Sequence, residues 1–222
     1  MTVKLIYLAR RAASVSREDW PHTWKSHAVF ASQFPALETG IDWMRYCNRI
    51  DADIPGLSSA HDGVAIAVGP SLAALNGSGF SAADRALIDH DELRVFDMLT
   101  PNFTFYCAGD VVRDGPLGEV ALFRFLARRP GISAEVFADI WQRKGLPFPA
   151  ATRIVRNRPL DGPLPLFPFD GIEEVWFATQ ADALSASSAS VGVPATSEWC
   201  DTARSVSVLT GVCHRWLRQP KA

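Results

Sequence analysis

Much of the usual chemical equipment is missing from this chain of 222 residues. Its four cysteines, Cys47, Cys107, Cys200 and Cys213, lie far apart and form no CxxC pair. Neither a structural zinc centre nor a disulfide framework is expected from them. No apolar run approaches the roughly 20 residues that a membrane helix needs. Neither sign of charge dominates: 22 Lys and Arg face 24 Asp and Glu, a net charge of −2, and basic residues never run beyond two. That leaves no electrostatic footprint for nucleic acid or for an anionic membrane. GxGxxG, Walker, HExxH, CxxCH and GxSxG motifs are all absent, so nucleotide, zinc-protease and serine-hydrolase chemistry have no support. The N-terminus is not expected to be a signal peptide, because Lys4 interrupts a short apolar run and no small-residue cleavage site follows. The expected compartment is the cytoplasm.

What the chain does have is the same passage twice. A stretch starting at Val3 returns at Val120, an offset of 117 positions. At that offset Leu5 meets Leu122, Arg11 meets Arg128, Ser16 meets Ser133, Glu18 meets Glu135 and Trp24 meets Trp141. A second echo sets Asn48-Arg49 and Asp62-Gly63 against Asn157-Arg158 and Asp170-Gly171. Two copies are too few for a solenoid. They read as two units, residues 1–112 and 119–217, each long enough to bury a core and joined through the turn-rich stretch 110–119. The reading is a homodimer fused into one polypeptide, so a monomer is expected, or a homodimer of the fused chain.

Each unit opens with a strand, 3–10 or 120–127, that is apolar at nearly every position and so expects cover on both faces. A helix start follows. Ser16 with Asp19 resembles a capping box, Val15 and Trp20 fit a hydrophobic staple, and Pro21 predicts a local kink. Further strands are expected at 43–50, 63–69 and 102–109, with counterparts at 151–158, 171–179 and 205–213. Helices are expected at 81–99, capped by Ser81, and at 181–190. The order β-α-β-β-α-β, twice, is the ferredoxin-like motif of an α+β protein.

Residues 4–11, followed by Ser16, Glu18, Trp24 and His27, then Tyr46, Asn48 and Asp62-Gly63, resemble the EthD family of the dimeric α+β barrel superfamily. The resemblance covers the first unit well and the second loosely. It implies two ferredoxin-like sheets packed sheet to sheet as an intramolecular dimeric α+β barrel. The superfamily includes lyases, isomerases, cyclases, cofactor-free oxygenases and haem proteins, so the fold does not fix the reaction.

At about 100° per residue, Trp20, Trp24 and His27 fall within about 60° of one another on the first helix, and His22 lies opposite. His27 also stands where the resemblance puts the family's histidine. An imidazole beside indoles can act as acid or base near neutral pH; the other reading is a core histidine bonded to a carbonyl. In the second copy the position is Lys144, read as snorkelling outward. Tyr46 and Asn48 share one face of a strand and can orient a substrate oxygen, or Tyr46 simply packs in the core. His61 is a second acid/base candidate, whereas Asp62-Gly63 and Asp170-Gly171 read as turns. Aligning Asn48 with Asn157 gives Tyr46 the counterpart Val155, and aligning Asp62-Gly63 with Asp170-Gly171 gives His61 the counterpart Phe169. The first unit is therefore expected to hold the more polar, functional pocket. Asp89, Asp91 and Glu92 beside His90 read as a solvated helix face. Trp20, Trp24 and Phe30, with Trp43 and Phe34, suit an apolar or aromatic ligand.

The function expected from this is a lyase or isomerase that needs no cofactor and no metal. It would run elimination, cyclisation, isomerisation or decarboxylation by proton transfer on a small apolar, aromatic or polyketide-like molecule. His27, Tyr46 and His61 are the catalytic candidates, and Trp20, Trp24, Asn48 and Phe30 the substrate-binding ones. The alternatives are a cofactor-free or haem-linked monooxygenase, and a non-catalytic binding protein.

Overall fold

Strands form where the apolar runs lie, and the helices lie over one side of them. The computed structural model describes residues 2–76, 79–190 and 198–218. The first half runs β1 (Thr2–Ala9), α1 (Trp20–Ala31), α2 (Pro35–Gly40), β2 (Trp43–Arg49), β3 (Gly63–Val68), α3 (Leu72–Leu75), α4 (Ala82–Val95) and β4 (Thr104–Arg113). The second half runs β5 (Val120–Arg128), α5 (Ala134–Arg143), β6 (Arg153–Pro159), β7 (Gly171–Phe177), α6 (Gln180–Ser190) and β8 (Cys200–Leu217). The short helices α2 and α3 are not foreseen by the sequence pattern. β4 runs on to Arg113, into the stretch read as a connector. β8 starts at Cys200 and is twice as long as expected, with 18 residues.

The eight strands close into one antiparallel barrel in the order β1-β3-β2-β8-β5-β7-β6-β4. The first half contributes β4-β1-β3-β2 and the second β8-β5-β7-β6, the same arrangement twice. The sheets meet edge to edge: β2 pairs with β8, and β4 pairs with β6. The length of β8 lets it pair with β5 and β2 together.

Strand alternation turns Ile6, Phe105, Phe123, Phe125 and Trp176 into the barrel, and Leu5, Tyr7 and Tyr46 outward beneath the helices. Every residue of β3 and β7 is buried; β3 is apolar throughout, whereas β7 carries two buried carboxylates, Glu173 and Glu174. A fully buried large apolar side chain contributes roughly 1.5–3 kcal/mol. Among the described residues no helix is long and apolar enough to cross a membrane.

Details of the repeat have physical causes. Trp24 lies over Gly63, where a Cβ would come within 2.5 Å of the indole, and Trp141 lies over Gly171, where the approach is 2.7 Å. Asp62 is a buried clamp as well as a turn residue. It accepts from the Arg11 N–H at 3.0 Å, and Asp170 accepts from the Arg128 N–H at 2.9 Å. The Arg11 guanidinium also pairs with Asp62, and that of Arg128 with Asp170 at 3.3 Å, so Arg and Asp recur together. Ser16 Oγ accepts from the Asp19 N–H at 3.0 Å, as in a capping box. Pro21 has no N–H to return to the preceding turn, and regular helix starts only at Trp20.

Cross-strand register corrects one pairing. Ala65 lies between Tyr7 and Tyr46, and Glu173 lies between Arg124 and Arg156. Tyr46 therefore corresponds to Arg156, not to Val155. Matching Asn48 with Asn157 is off by one residue, and such a slip carries a side chain to the opposite face of the sheet.

Candidate functional site

A cavity of about 120 Å³ lies between the outer face of the first-half sheet and the helices α1, α2 and α4. Leu5 and Tyr7 of β1, Met44 and Tyr46 of β2, and Ala67 of β3 form its floor, and His27, Leu37 and Ile88 come from the helices. The walls are mostly apolar. Polar groups gather at one side: Glu92 accepts from Arg85 Nη2 at 2.8 Å, from the Thr100 hydroxyl at 2.7 Å and from the Thr100 N–H at 2.8 Å.

His27 is buried on α1 and edge-on to Phe96. Its Nδ1 is 2.7 Å from Asp91 Oδ2 on α4. Arg94 Nε donates to the other Asp91 oxygen at 2.9 Å. The hydrogen bond from His27, and secondarily Arg94, hold the Asp91 carboxyl below its usual range, so it is ionised at neutral pH. With Nδ1 committed to Asp91, Nε2 is the ring atom left to exchange a proton. Trp24 Nε1–H donates to the Tyr7 hydroxyl at 3.1 Å, which leaves the Tyr7 proton free to donate. Burial pushes the pKa of Tyr7 and of Tyr46 up, so both phenols stay protonated.

Of the sequence candidates, His27 and Tyr46 line this cavity. Trp24 stands behind them, T-shaped against Tyr46 at 5.4 Å. Trp20 stacks on Trp24 at 4.9 Å and donates to the Asp62 carbonyl, away from the cavity. Phe30 packs edge-on against Phe34, and Asn48 is half-buried near the end of β2; neither lines the cavity. His61 does not line it either: it is buried just before β3 with Nδ1 2.8 Å from Ser58 Oγ. His22 is exposed. Asp91 and Glu92 contradict the solvated reading of their helix face: one bonds His27 and the other is buried at the cavity. Tyr7 was also missed, although its contrast with Arg124 at the 117 offset is visible in the sequence. Among the described residues no three His, Cys, Asp or Glu side chains converge to hold a metal ion.

The same place in the second half is filled by charge. Arg124, Glu173 and Arg156 stand side by side on β5, β7 and β6, all buried. Glu173 pairs with Arg124 at 3.0 Å and accepts from Trp141 Nε1–H at 2.7 Å, while Arg156 donates to the Gln142 carbonyl at 2.6 Å. The cavity is thus in the first half, and the matching place beneath the helices of the second half holds a row of buried charge instead.

His61 carries a pH prediction. Burial, with Arg10 and Arg49 nearby, lowers its pKa from 6.5 to about 4 against the opposing pull of Asp62. As pH falls, the unfolded chain takes up this proton first. Stability is full above pH 6.5 and is lost toward pH 4, on the order of 3 kcal/mol. Urea unfolding of His61→Gln should show a shallower loss over that window than the parent chain; equal slopes would refute the assignment.

No family model matches the chain, and no curated protein matches it in sequence. Solved structures do. A candidate monooxygenase from Fusobacterium nucleatum subsp. nucleatum ATCC 25586 superposes with a TM-score of 0.59 at 7% identity, covering 96% of this chain and 93% of that one. A candidate monooxygenase from Lactobacillus acidophilus NCFM gives 0.52 at 11% identity, over 98% and 96%. An anthrone oxidase-like protein gives 0.51 at 12% identity, over 100% and 95%. At such identities the likeness establishes the fold alone, a closed eight-stranded antiparallel barrel with helices outside it.

Proposed function

We propose that this protein is an enzyme that needs no cofactor and moves a proton on a small, single-ring aromatic or similarly apolar substrate. The observation that carries this is the His27–Asp91 pair on a mainly apolar cavity. Asp91 fixes the tautomer and orientation of the imidazole through its contact with Nδ1. Nε2 then takes a proton from the substrate, or returns one, in elimination, isomerisation, cyclisation or decarboxylation. Tyr46 and Tyr7 are the donors for the substrate oxygen on which charge develops. Size supports a small substrate, since an engineered apolar cavity of about 150 Å³ holds benzene and this one is about 120 Å³. A larger polyketide-like molecule would need the helices to move. A haem does not fit: the space beside His27 is well below the roughly 300–1,000 Å³ of ordinary cofactor pockets.

In the same reading the chain is a tandem EthD-like protein, with ferredoxin-like units at 1–112 and 119–217. The recurring strand order and the paired Trp–Gly contacts support two units.

A second reading is cofactor-free monooxygenation, favoured by the names of the structural neighbours. It begins with the same deprotonation. The carbanion passes electrons to dioxygen, a CH2 group becomes a carbonyl, and the second oxygen atom leaves as water. One experiment separates the readings. Small cyclic ketones and phenols are incubated with the protein in D2O, with and without oxygen. Deuterium uptake without oxygen supports proton transfer, and oxygen consumption with ketone formation supports the second reading. Saturable binding with neither outcome makes the protein a binder.

A further inference from the structure

A cleft of about 260 Å³ lies on the second half, just before α5, and shares no residue with the His27 cavity. Three guanidinium groups line it, those of Arg128, Arg129 and Arg204, against one carboxylate, Asp170. Asp170 is engaged by Arg128 at both oxygens. Its Oδ2 accepts from the Arg128 backbone N–H at 2.9 Å, and its Oδ1 is 3.3 Å from Arg128 Nη1. Glu135, on the first turn of α5, adds a second carboxylate near Arg128. Arg129 and Arg204 are both exposed, and among the described residues no carboxylate pairs with either. Residues 191–197 contain no Asp or Glu. The matching corner of the first half is neutralised. There Arg10 pairs with Asp97 at 2.7 Å, Arg11 and Arg17 share Asp62, and Arg17 is also 3.4 Å from Asp51. At the 117 offset Arg129 stands where the first half has Ala12, so its charge is a departure from the repeat.

The backbone beneath the two arginines is held. Ile132 N–H donates to the Arg129 carbonyl at 3.2 Å, and between them Pro130 and Gly131, the latter at φ 89°, fit a type II turn. Arg129 N–H donates to the Trp199 carbonyl at 3.0 Å, and Arg204 N–H donates to Asp201 Oδ1 at 3.3 Å. Pro130, Pro163 and Pro168 line the cleft, and their fixed φ angles leave its walls little backbone freedom to lose on binding.

We propose that this cleft binds a small phosphate dianion, free or as a phosphomonoester, between Arg129 and Arg204. A guanidinium presents a planar fork of N–H donors that matches two phosphate oxygens. Two such groups with no carboxylate of their own balance the two negative charges. A carboxylate monoanion satisfies half of that excess, and a cation is repelled by it. Arg128, already balanced by Asp170, borders the site. The cleft is independent of the proton-transfer reading of the His27 cavity.

Inorganic phosphate and glycerol 3-phosphate are the probes, titrated by NMR into the full chain at about pH 8, where a phosphate monoester is doubly charged. Salt at about 0.1 M screens charges beyond about 10 Å, so only local contacts count. The expected result is saturable shifts of the Arg129, Gly131, Ile132 and Arg204 amides, with acetate binding more weakly. Tighter binding of glycerol 3-phosphate assigns the cleft to a phosphomonoester, and equal or weaker binding assigns it to free phosphate. Arg129→Ala and Arg204→Ala should each weaken binding by about tenfold, the usual loss for a hydrogen bond to a charged group. Both side chains are exposed, so these variants should fold, which circular dichroism checks. Arg129→Lys and Arg204→Lys keep the charge and lose the fork, and they should also bind more weakly. Arg143→Ala, on the exposed end of α5, removes the same charge and should leave affinity unchanged. Absence of saturable shifts, equal losses in Arg143→Ala and Arg129→Ala, or parental affinity in both lysine variants each overturns the proposal.

Discussion

His27→Ala is expected to fold and to bind substrate, while its turnover falls by about 10²–10⁴-fold, the usual contribution of a general acid or base. The effect should fall on kcat more than on KM, because the imidazole acts on a proton that moves only in the transition state. Asp91→Asn should lower turnover less, since it keeps a group on Nδ1 but weakens the hold on the ring's tautomer and orientation. His22→Ala, on the exposed side of α1, should leave the rate unchanged. Circular dichroism and thermal unfolding separate lost chemistry from lost structure. Full activity in folded His27→Ala would end the assignment. If the alanine variant does not fold, His27→Gln retains most of the volume and a polar atom near Asp91, and the same rate comparison applies.

The largest loss of stability is expected from Glu173→Gln. Glu173 is 1% exposed, sits between two buried arginines and takes the Trp141 indole N–H. Replacing a buried carboxylate that balances guanidinium charge costs about 3–5 kcal/mol. For a chain of this length that lowers the melting temperature by on the order of 10 °C. Since the row fills space that the first half leaves open, the loss should reach the His27 cavity only indirectly. Folded Glu173→Gln should therefore keep its substrate affinity. A shift under 1 kcal/mol in calorimetry would mean that the row is solvated in solution.

The fold was legible because repeats and apolar runs are local. The strand starts at Val3 and Val120, the Ser81 cap and the Trp20–Trp24–His27 stripe need only neighbouring residues to be read. The site was legible in part for the same reason. His27 and Tyr46 each follow from a periodicity within one element. Asp91 and Glu92 did not, because carboxylates spread around a helix look solvated until the packing of α4 against α1 turns two of them inward. The Tyr46 counterpart was misread because a matching Asn-Arg pair outweighed strand register, which only neighbouring strands reveal. Trp20 and Phe30 show the opposite failure: aromatic residues near a site look like lining when most of them are its scaffold.

The β2–β8 and β4–β6 seams have a further consequence. In a barrel made from two chains, closure is bimolecular and reverses on dilution. Here residues 114–119 tether the halves, so their effective concentration is set by that short connector and not by the amount of protein present. Closure is thus independent of mass action. A single chain also lets the two halves of the barrel carry different side chains at matching places. One half could stiffen around Arg124, Glu173 and Arg156 while the other stayed open around His27.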